Sequence, residues 1–149
     1  MFHMIMNDRE VVEQMLQSYS AAVYAKDVDA FTALYDDDIT VFDMWGRWAY
    51  RGIEAWRSMA AEWFGSLGDE RSSPEFSDIQ VDVADTVAAA HAFLTFRGLS
   101  ADGKELRRMD NRLTWVLRKN ADGPWKIVHE HSSSPADIES GKVNLRRSS

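Results

Sequence analysis

Asp36-Asp37-Asp38-Ile39-Thr40-Val41-Phe42-Asp43-Met44-Trp45 couples an acidic turn to a short alternating strand. Side chains alternate along a strand, so Ile39, Val41 and Asp43 share one face while Thr40 and Phe42 take the other. With the Ile39 face turned inward, Asp43 becomes a carboxylate at the rim of an apolar interior. Removing a carboxylate from water penalises its charged form and raises its pKa, which suits a group that shuttles protons. The competing reading ends the strand at Phe42 and leaves Asp43 to start the next turn.

Upstream of this stretch, Asn7 with Glu10 three residues later reads as a capping box that opens a first helix. Val12, Leu16, Tyr19 and Val23 recur at helical spacing, and Val11, Met15 and Ala22 widen the stripe. Tyr19 therefore lies on the buried face, where core packing is the plain expectation. Lys26-Asp27 breaks the helix, and Asp27 caps a short second one running to about Tyr35, with Ala30, Phe31 and Leu34 as its apolar edge. Downstream, Arg47 to Gly52 reads as a connection. Gly52 introduces a third helix through about Phe64, striped by Ile53, Trp56, Ala60, Trp63 and Phe64 with Met59 beside them. Gly65 to Pro74 reads as turn material.

From there the period changes. Ile79, Val81 and Val83 alternate, and Thr86 to Leu99 makes a long strand that is apolar on both faces. Ser100-Ala101-Asp102-Gly103 turns, Glu105 to Lys119 makes another long strand, Asn120-Ala121-Asp122-Gly123 turns again, and Trp125 to Ser133 closes the sheet. Three helices followed by an antiparallel meander predict an α+β fold, with the helices on one face of a curved sheet. Leu113, Trp115, Leu117, Trp125 and Ile127 then supply an apolar face too large to leave in water, and predict a homodimer through the outer side of the sheet. Packing of the same residues against the helices is the alternative. In the first case Arg108, Asp110, Arg112 and Thr114 line a cavity beneath the helices; in the second they form a solvated face.

The chain has 149 residues, 45% of them hydrophobic and 28% charged, which is enough to bury a core as one domain. A net charge of -7 argues against nucleic acid or an anionic membrane as partner. The absence of cysteine excludes disulfides, thiol nucleophiles and cysteine metal sites, and fits a cytoplasmic setting. Met1-Phe2-His3-Met4-Ile5-Met6 is short, lacks a basic start and meets Asp8, Arg9 and Glu10 at once, so it reads as neither signal peptide nor membrane span. Residues 1–7 are expected to form a flexible arm, 8–134 the domain, and 135–149, with Pro135, Gly141 and Arg146-Arg147, a loose tail. His129 and His131 share one side of a strand, but no third ligand accompanies them and no metal site is predicted.

The run from Tyr19 through Asp27-Val28-Asp29-Ala30 to Asp37-Asp38-Ile39-Thr40-Val41-Phe42-Asp43, together with the order of elements, resembles the NTF2-like superfamily, in particular its SnoaL-like and ketosteroid-isomerase-like proteins. The ending Trp125-Lys126-Ile127-Val128-His129-Glu130-His131-Ser132-Ser133 is similar to SnoaL-like proteins and to the association domain of calcium/calmodulin-dependent protein kinase. The resemblance covers residues 8 to 134 and implies a cone-shaped α+β barrel, with three amino-terminal helices on a curved, mainly antiparallel sheet enclosing a pocket, no cofactor, and a dimer. By position it matches Tyr19 to the oxyanion-hole tyrosine of ketosteroid isomerase, Asp43 to the aspartate that moves the proton, and Asp110 to the aspartic acid that shares the oxyanion hole. Asp43 would then abstract a proton α to a carbonyl, with Tyr19 and a neutral Asp110 donating to the enolate oxygen.

Two departures from that pattern stand out. Arg112 follows Asp110 by two on the same strand face, and a nearby cation favours the ionised carboxylate, which cannot donate. Glu130, which the resemblance puts on the pocket side, is a candidate partner for Arg112. Met44-Trp45 follow Asp43 where the isomerase has proline. Trp45, Trp48, Trp56 and Trp63 form either an aromatic wall for a flat apolar ligand or simple core. Two functions follow from these residues. The first is a cofactor-independent proton-transfer enzyme, isomerase-like or polyketide-cyclase-like, acting on a small carbonyl compound in a hydrophobic pocket. The alternative is a non-catalytic small-molecule-binding protein in which Arg112 and Glu130 hold a polar or carboxylate ligand.

Overall fold

Residues 5–121 and 123–148 are described by a computed structural model. The elements run α1 (Asp8–Ala25), α2 (Val28–Thr32), β1 (Tyr35–Phe42), β2 (Tyr50–Arg51), α3 (Ile53–Ser66), β3 (Arg71–Val83), β4 (Val87–Leu99), β5 (Glu105–Lys119) and β6 (Trp125–Ser133). One open six-stranded sheet has the order β2-β1-β6-β5-β4-β3, antiparallel throughout except where β1 runs parallel to β6. The α+β layout expected from the sequence is the observed one.

Local chemistry sets the element ends. The Asn7 side chain accepts the Glu10 N–H at 2.8 Å and Asp27 accepts the Ala30 N–H at 3.0 Å, each satisfying a donor that the first helical turn leaves unpaired. Gly52 precedes α3 at φ 85 and ψ 155, a conformation in which a Cβ is strained, and its N–H reaches the Ile39 carbonyl at 2.7 Å. That bond ties the start of α3 to β1. Two segments expected to be irregular are partly strand: Tyr50–Arg51 pairs with β1, and β3 begins at Arg71 because its backbone already pairs with Leu99.

The helices cover the sheet face that carries Ile39 and Val41, both fully buried, while Phe42 on the other face is 39% exposed. Leu113, Trp115, Leu117, Trp125 and Ile127 point to this same helix-covered side and form its core. They are therefore not an outer, dimer-forming face. The Tyr19 ring from α1 packs edge-on to Trp115 at 6.0 Å between centroids, so the apolar surface is sealed within one chain. The opposite face of β5 carries Arg112, Thr114 and Arg118, all exposed.

The inner face of β6 depends on a bulge. Leu117 pairs with Ile127, but Val116 pairs with His129, leaving Val128 as an extra residue. An inserted residue reverses the in–out alternation beyond it. Glu130 thus stands opposite Trp115, and Ser132 opposite Leu113, on the inner side. His129 and His131 face outward, where their rings pack against Phe42 at 4.8 and 5.6 Å.

The segment expected to be a loose tail is folded back. Ala136 bridges to Val143, the Asp110 N–H reaches the Leu145 carbonyl at 2.8 Å, and the Arg147 N–H reaches Asp110 Oδ2 at 2.8 Å. β6 ends opposite Arg112, so the next stretch of β5 has a free hydrogen-bonding edge, and the tail fills it. Of the expected amino-terminal arm, residues 1–4 lie outside the described residues, and Ile5 and Met6 are exposed.

The orientation of β5 is directly testable. Leu117→Ala should cost about 2–5 kcal/mol of unfolding free energy and Thr114→Ala less than about 0.5 kcal/mol, measured by urea denaturation. Similar costs at the two positions would contradict the assignment of inner and outer faces.

Candidate functional site

Between the helices and the inner sheet face lies a cavity of about 520 Å³. Most of its wall is apolar: Trp56, Met59 and Trp63 come from α3, Leu94 and Phe96 from β4, and Leu113 from β5. Its polar groups come from five places: Tyr19 on α1, Asp43 after β1, Ser72 on β3, Asn111 with Arg107 and Arg108 on β5, and Glu130 with Ser132 on β6.

Asp43 is half-buried at the point where β1 gives way to its loop. Burial raises its pKa; hydrogen bonds from the Ser132 hydroxyl and from the Met44 and Trp45 N–H groups oppose this without cancelling it. The Ser132 hydroxyl accepts the Met44 N–H at 3.2 Å and donates to Asp43 Oδ1 at 3.1 Å. Its orientation is thereby fixed, and so is the carboxyl it holds.

Tyr19 is buried, and its hydroxyl makes no hydrogen bond to another described residue. Burial, with the negative charges of Glu130 and Asp43, pushes its pKa well above the ordinary 10.0, so it stays a protonated donor.

Glu130 is only 3% exposed. Tyr35 O–H donates to its Oε1 at 2.6 Å, and Trp115 Nε1–H donates to the same oxygen at 2.8 Å. Burial raises its pKa from 4.5 to about 7; the two donors pull the other way, and the charge of Asp43 adds to the rise.

Asp110 and Arg112 are not in this constellation. Asp110 lies on the outer sheet face, where Thr95 Oγ1–H reaches its Oδ1 at 2.7 Å and the Arg147 N–H takes its Oδ2. Burial alone would raise its pKa, but these bonds and the charges of Arg108 and Arg146 outweigh it and hold the carboxyl below the ordinary range. An ionised carboxylate facing away from the cavity cannot donate to a ligand there. Arg112 is exposed on that same outer face with its Nε donating to Ser133 Oγ at 3.1 Å, and it does not meet Glu130. One parity error accounts for both misplacements: with Trp115 inside, even-numbered neighbours on β5 must face out.

The residue of β5 that does enter the cavity is Asn111, which the sequence reading passed over. It is buried, its Nδ2 donates to Met44 Sδ at 3.4 Å, and its Oδ1 has no partner among the described residues. Thioether sulfur is a weak acceptor, so a substrate oxygen would compete well for that donor. Its signal was its parity with Leu113 and Trp115, usable only once those were known to be core. Among the tryptophans, Trp45, Trp56 and Trp63 line the cavity, whereas Trp48 is 96% exposed beside a separate surface hollow. Among the described residues no group of three or more histidine or acidic side chains is placed to hold a metal ion, and no helix is long and apolar enough to cross a membrane.

The sequence matches the SnoaL-like domain family over residues 12–137. No curated protein matches the chain. Among solved structures, an NTF2-like protein of unknown function from Pseudomonas putida is 26% identical, with 95% of this chain and 96% of that one covered and a TM-score of 0.83. An NTF2-like protein with a cystatin-like fold from Novosphingobium aromaticivorans is 17% identical over 84% of this chain and 80% of that one, with a TM-score of 0.71. Aln2 from a Streptomyces species is 18% identical over 83% of this chain and 87% of that one, also with a TM-score of 0.71. The last two show the fold alone.

The Glu130 environment carries a stability signature. The folded state binds this proton more tightly than the unfolded chain, so stability falls as pH rises from 4.5 to about 7 and then levels off on this group's account. The span corresponds to ~3 kcal/mol. Glu130→Gln, which cannot ionise, should remove that part of the slope, leaving the variant more stable than wild type above neutral pH in urea titrations. Parallel stability curves for the two proteins would contradict a raised Glu130 pKa.

Proposed function

The chain belongs to the SnoaL-like family, and within it we propose a cofactor-independent proton-transfer enzyme, an isomerase or cyclase, acting on a small carbonyl compound in the cavity. The observation that carries this reading is a desolvated, oriented carboxyl, Asp43, sharing an apolar chamber with the Tyr19 hydroxyl, which has no partner among the described residues. A carboxylate freed from bulk water is a stronger base toward carbon acids than one in solution. Ionised Asp43 takes the proton α to the substrate carbonyl. The C–H electron pair forms the C=C bond, and the carbonyl π pair moves onto oxygen. Tyr19 O–H and Asn111 Nδ2–H donate to that oxygen, and Asp43 then returns the proton to carbon. The flat ring surfaces of Trp56 and Trp63 suit a planar conjugated product.

The rival reading, a binding protein, loses its proposed clamp because Arg112 and Glu130 occupy opposite sheet faces. The cations that do line the cavity, Arg107 and Arg108, are already engaged, with Glu70 at 2.6 Å and with Asp110 at 3.9 Å. A homodimer through the outer face belongs to the proposal on different residues from those first expected, namely Phe42, Val116, His129 and His131. Sedimentation velocity giving a monomer at working concentration would remove it.

Exchange of α-hydrogens for deuterium in a panel of enolisable cyclic ketones, followed by NMR, tests the chemistry. Asp43→Asn should slow exchange by at least about 100-fold, and Tyr19→Phe by about 10–1000-fold. Enzyme-dependent exchange that survives Asp43→Asn would contradict this assignment of the base.

A further inference from the structure

Glu130 is the buried carboxyl that the mechanism above leaves unused, and its hydrogen bonds fix more than its position. Both protein donors, Tyr35 O–H and Trp115 Nε1–H, go to Oε1. The indole N–H can only donate, and the Tyr35 hydroxyl is committed by its own hydrogen to the same oxygen. In the neutral acid Oε1 is therefore the carbonyl oxygen, and the proton resides on Oε2. No described residue makes a hydrogen bond with Oε2, and Glu130 lines the chamber that holds Asp43 and Tyr19. A protonated Oε2 is thus a donor whose available acceptor is the occupant of the cavity.

We propose that Glu130, as a neutral acid, donates Oε2–H to the substrate carbonyl oxygen and is a catalytic residue alongside Tyr19 and Asn111. It takes, from a different strand, the part for which Asp110 is misplaced. This rests on the proton-transfer reading and extends it. The acid keeps its proton through the cycle: its hydrogen bond shortens as the carbonyl π pair moves onto oxygen, and Asp43 alone takes and returns the proton from carbon. A substrate must accordingly present one oxygen toward β6 and α1 together, with its acidic C–H toward the end of β1.

The surroundings are consistent with an acid that is neutral at working pH. Burial dominates, and the titratable groups facing Glu130 are Tyr35 and Asp43 from β1 and its end and Tyr19 from α1. β5 contributes the neutral Trp115 and Asn111, and α3 the neutral Trp56. Arg107 and Arg108 line the same cavity, but neither is among the charges that act on Glu130. When Asp43 ionises to act as base, its charge further favours the protonated form of Glu130.

A dinitrophenol, ionised across the pH range used, imitates the enolate and reports binding through quenching of the cavity tryptophans. Asp43→Asn serves as the parent, so that one carboxyl titrates. In it the phenolate affinity should fall about 10-fold between pH ~6 and pH ~8, as Glu130 exchanges a donor for a like charge. Adding Glu130→Gln, whose Nε2 replaces Oε2 while its oxygen still accepts from Tyr35 and Trp115, should hold affinity within about 3-fold of the parent at pH ~6 and flatten the profile. Adding Tyr35→Phe instead removes a bond that favours the anion, and should move the transition to higher pH. A flat profile in the parent, or an unchanged slope with Glu130→Gln, would overturn the proposal. A failure of phenolate to bind more tightly to Asp43→Asn than to wild type at pH ~8 would instead overturn the proton-transfer reading beneath it.

Discussion

One extra residue in β6 determines what the cavity contains. Because Val128 is bulged, the residues after it swap faces, and Glu130 and Ser132 point under the helices while His129 and His131 point out. Continued without the bulge, the strand would have sent the two imidazoles inward and the carboxyl to the surface. The consequence is a buried acid, and burying an ionisable group is costly unless its hydrogen bonds are met. Tyr35 and Trp115 meet them from the two strands on either side of β6, so the bulge, the hydroxyl and the indole act as one unit.

The three carboxyls nearest this region differ because their surroundings differ. Asp110 receives a hydroxyl and a backbone N–H, lies near arginines, and stays ionised on the outer face. Asp43 is partly desolvated but is held by Ser132 and by backbone N–H groups, so its pKa is raised without the full effect of burial. Glu130 is desolvated most completely, and both of its donors crowd one oxygen. Environments that separate the pKa values of neighbouring carboxyls also separate their roles. In the proposed mechanism one moves a proton and another keeps one.

Much of this was legible in the chain before its structure. Local rules sufficed for the caps at Asn7 and Asp27, the helix stripes, the two strands after Gly103, and the inward turn of Ile39 and Val41. The orientation of β5 was not a local question. Leu113, Trp115 and Leu117 share one face and Arg108, Asp110, Arg112 and Thr114 the other, so the pattern shows that two faces exist but not which one the helices cover. Asp110 and Arg112 were misplaced on that ambiguity, and Asn111 was passed over on it. The bulge at Val128 was also invisible, because it depends on pairing with β5 rather than on any turn residue. The tail reads as polar and glycine-containing, yet it is ordered by an edge of β5 that exists only because β6 stops early.

Infrared difference spectroscopy of the wild-type protein between pH ~6 and pH ~9, set beside Glu130→Gln, tests the central claim most directly, since exposed carboxyls are ionised across that range. The account predicts a carboxylic-acid C=O band in the wild type at the lower pH that vanishes at the higher, and its loss or marked weakening in Glu130→Gln. A wild-type spectrum without that band, or a band of undiminished strength in Glu130→Gln, would contradict a neutral Glu130 at the heart of the cavity.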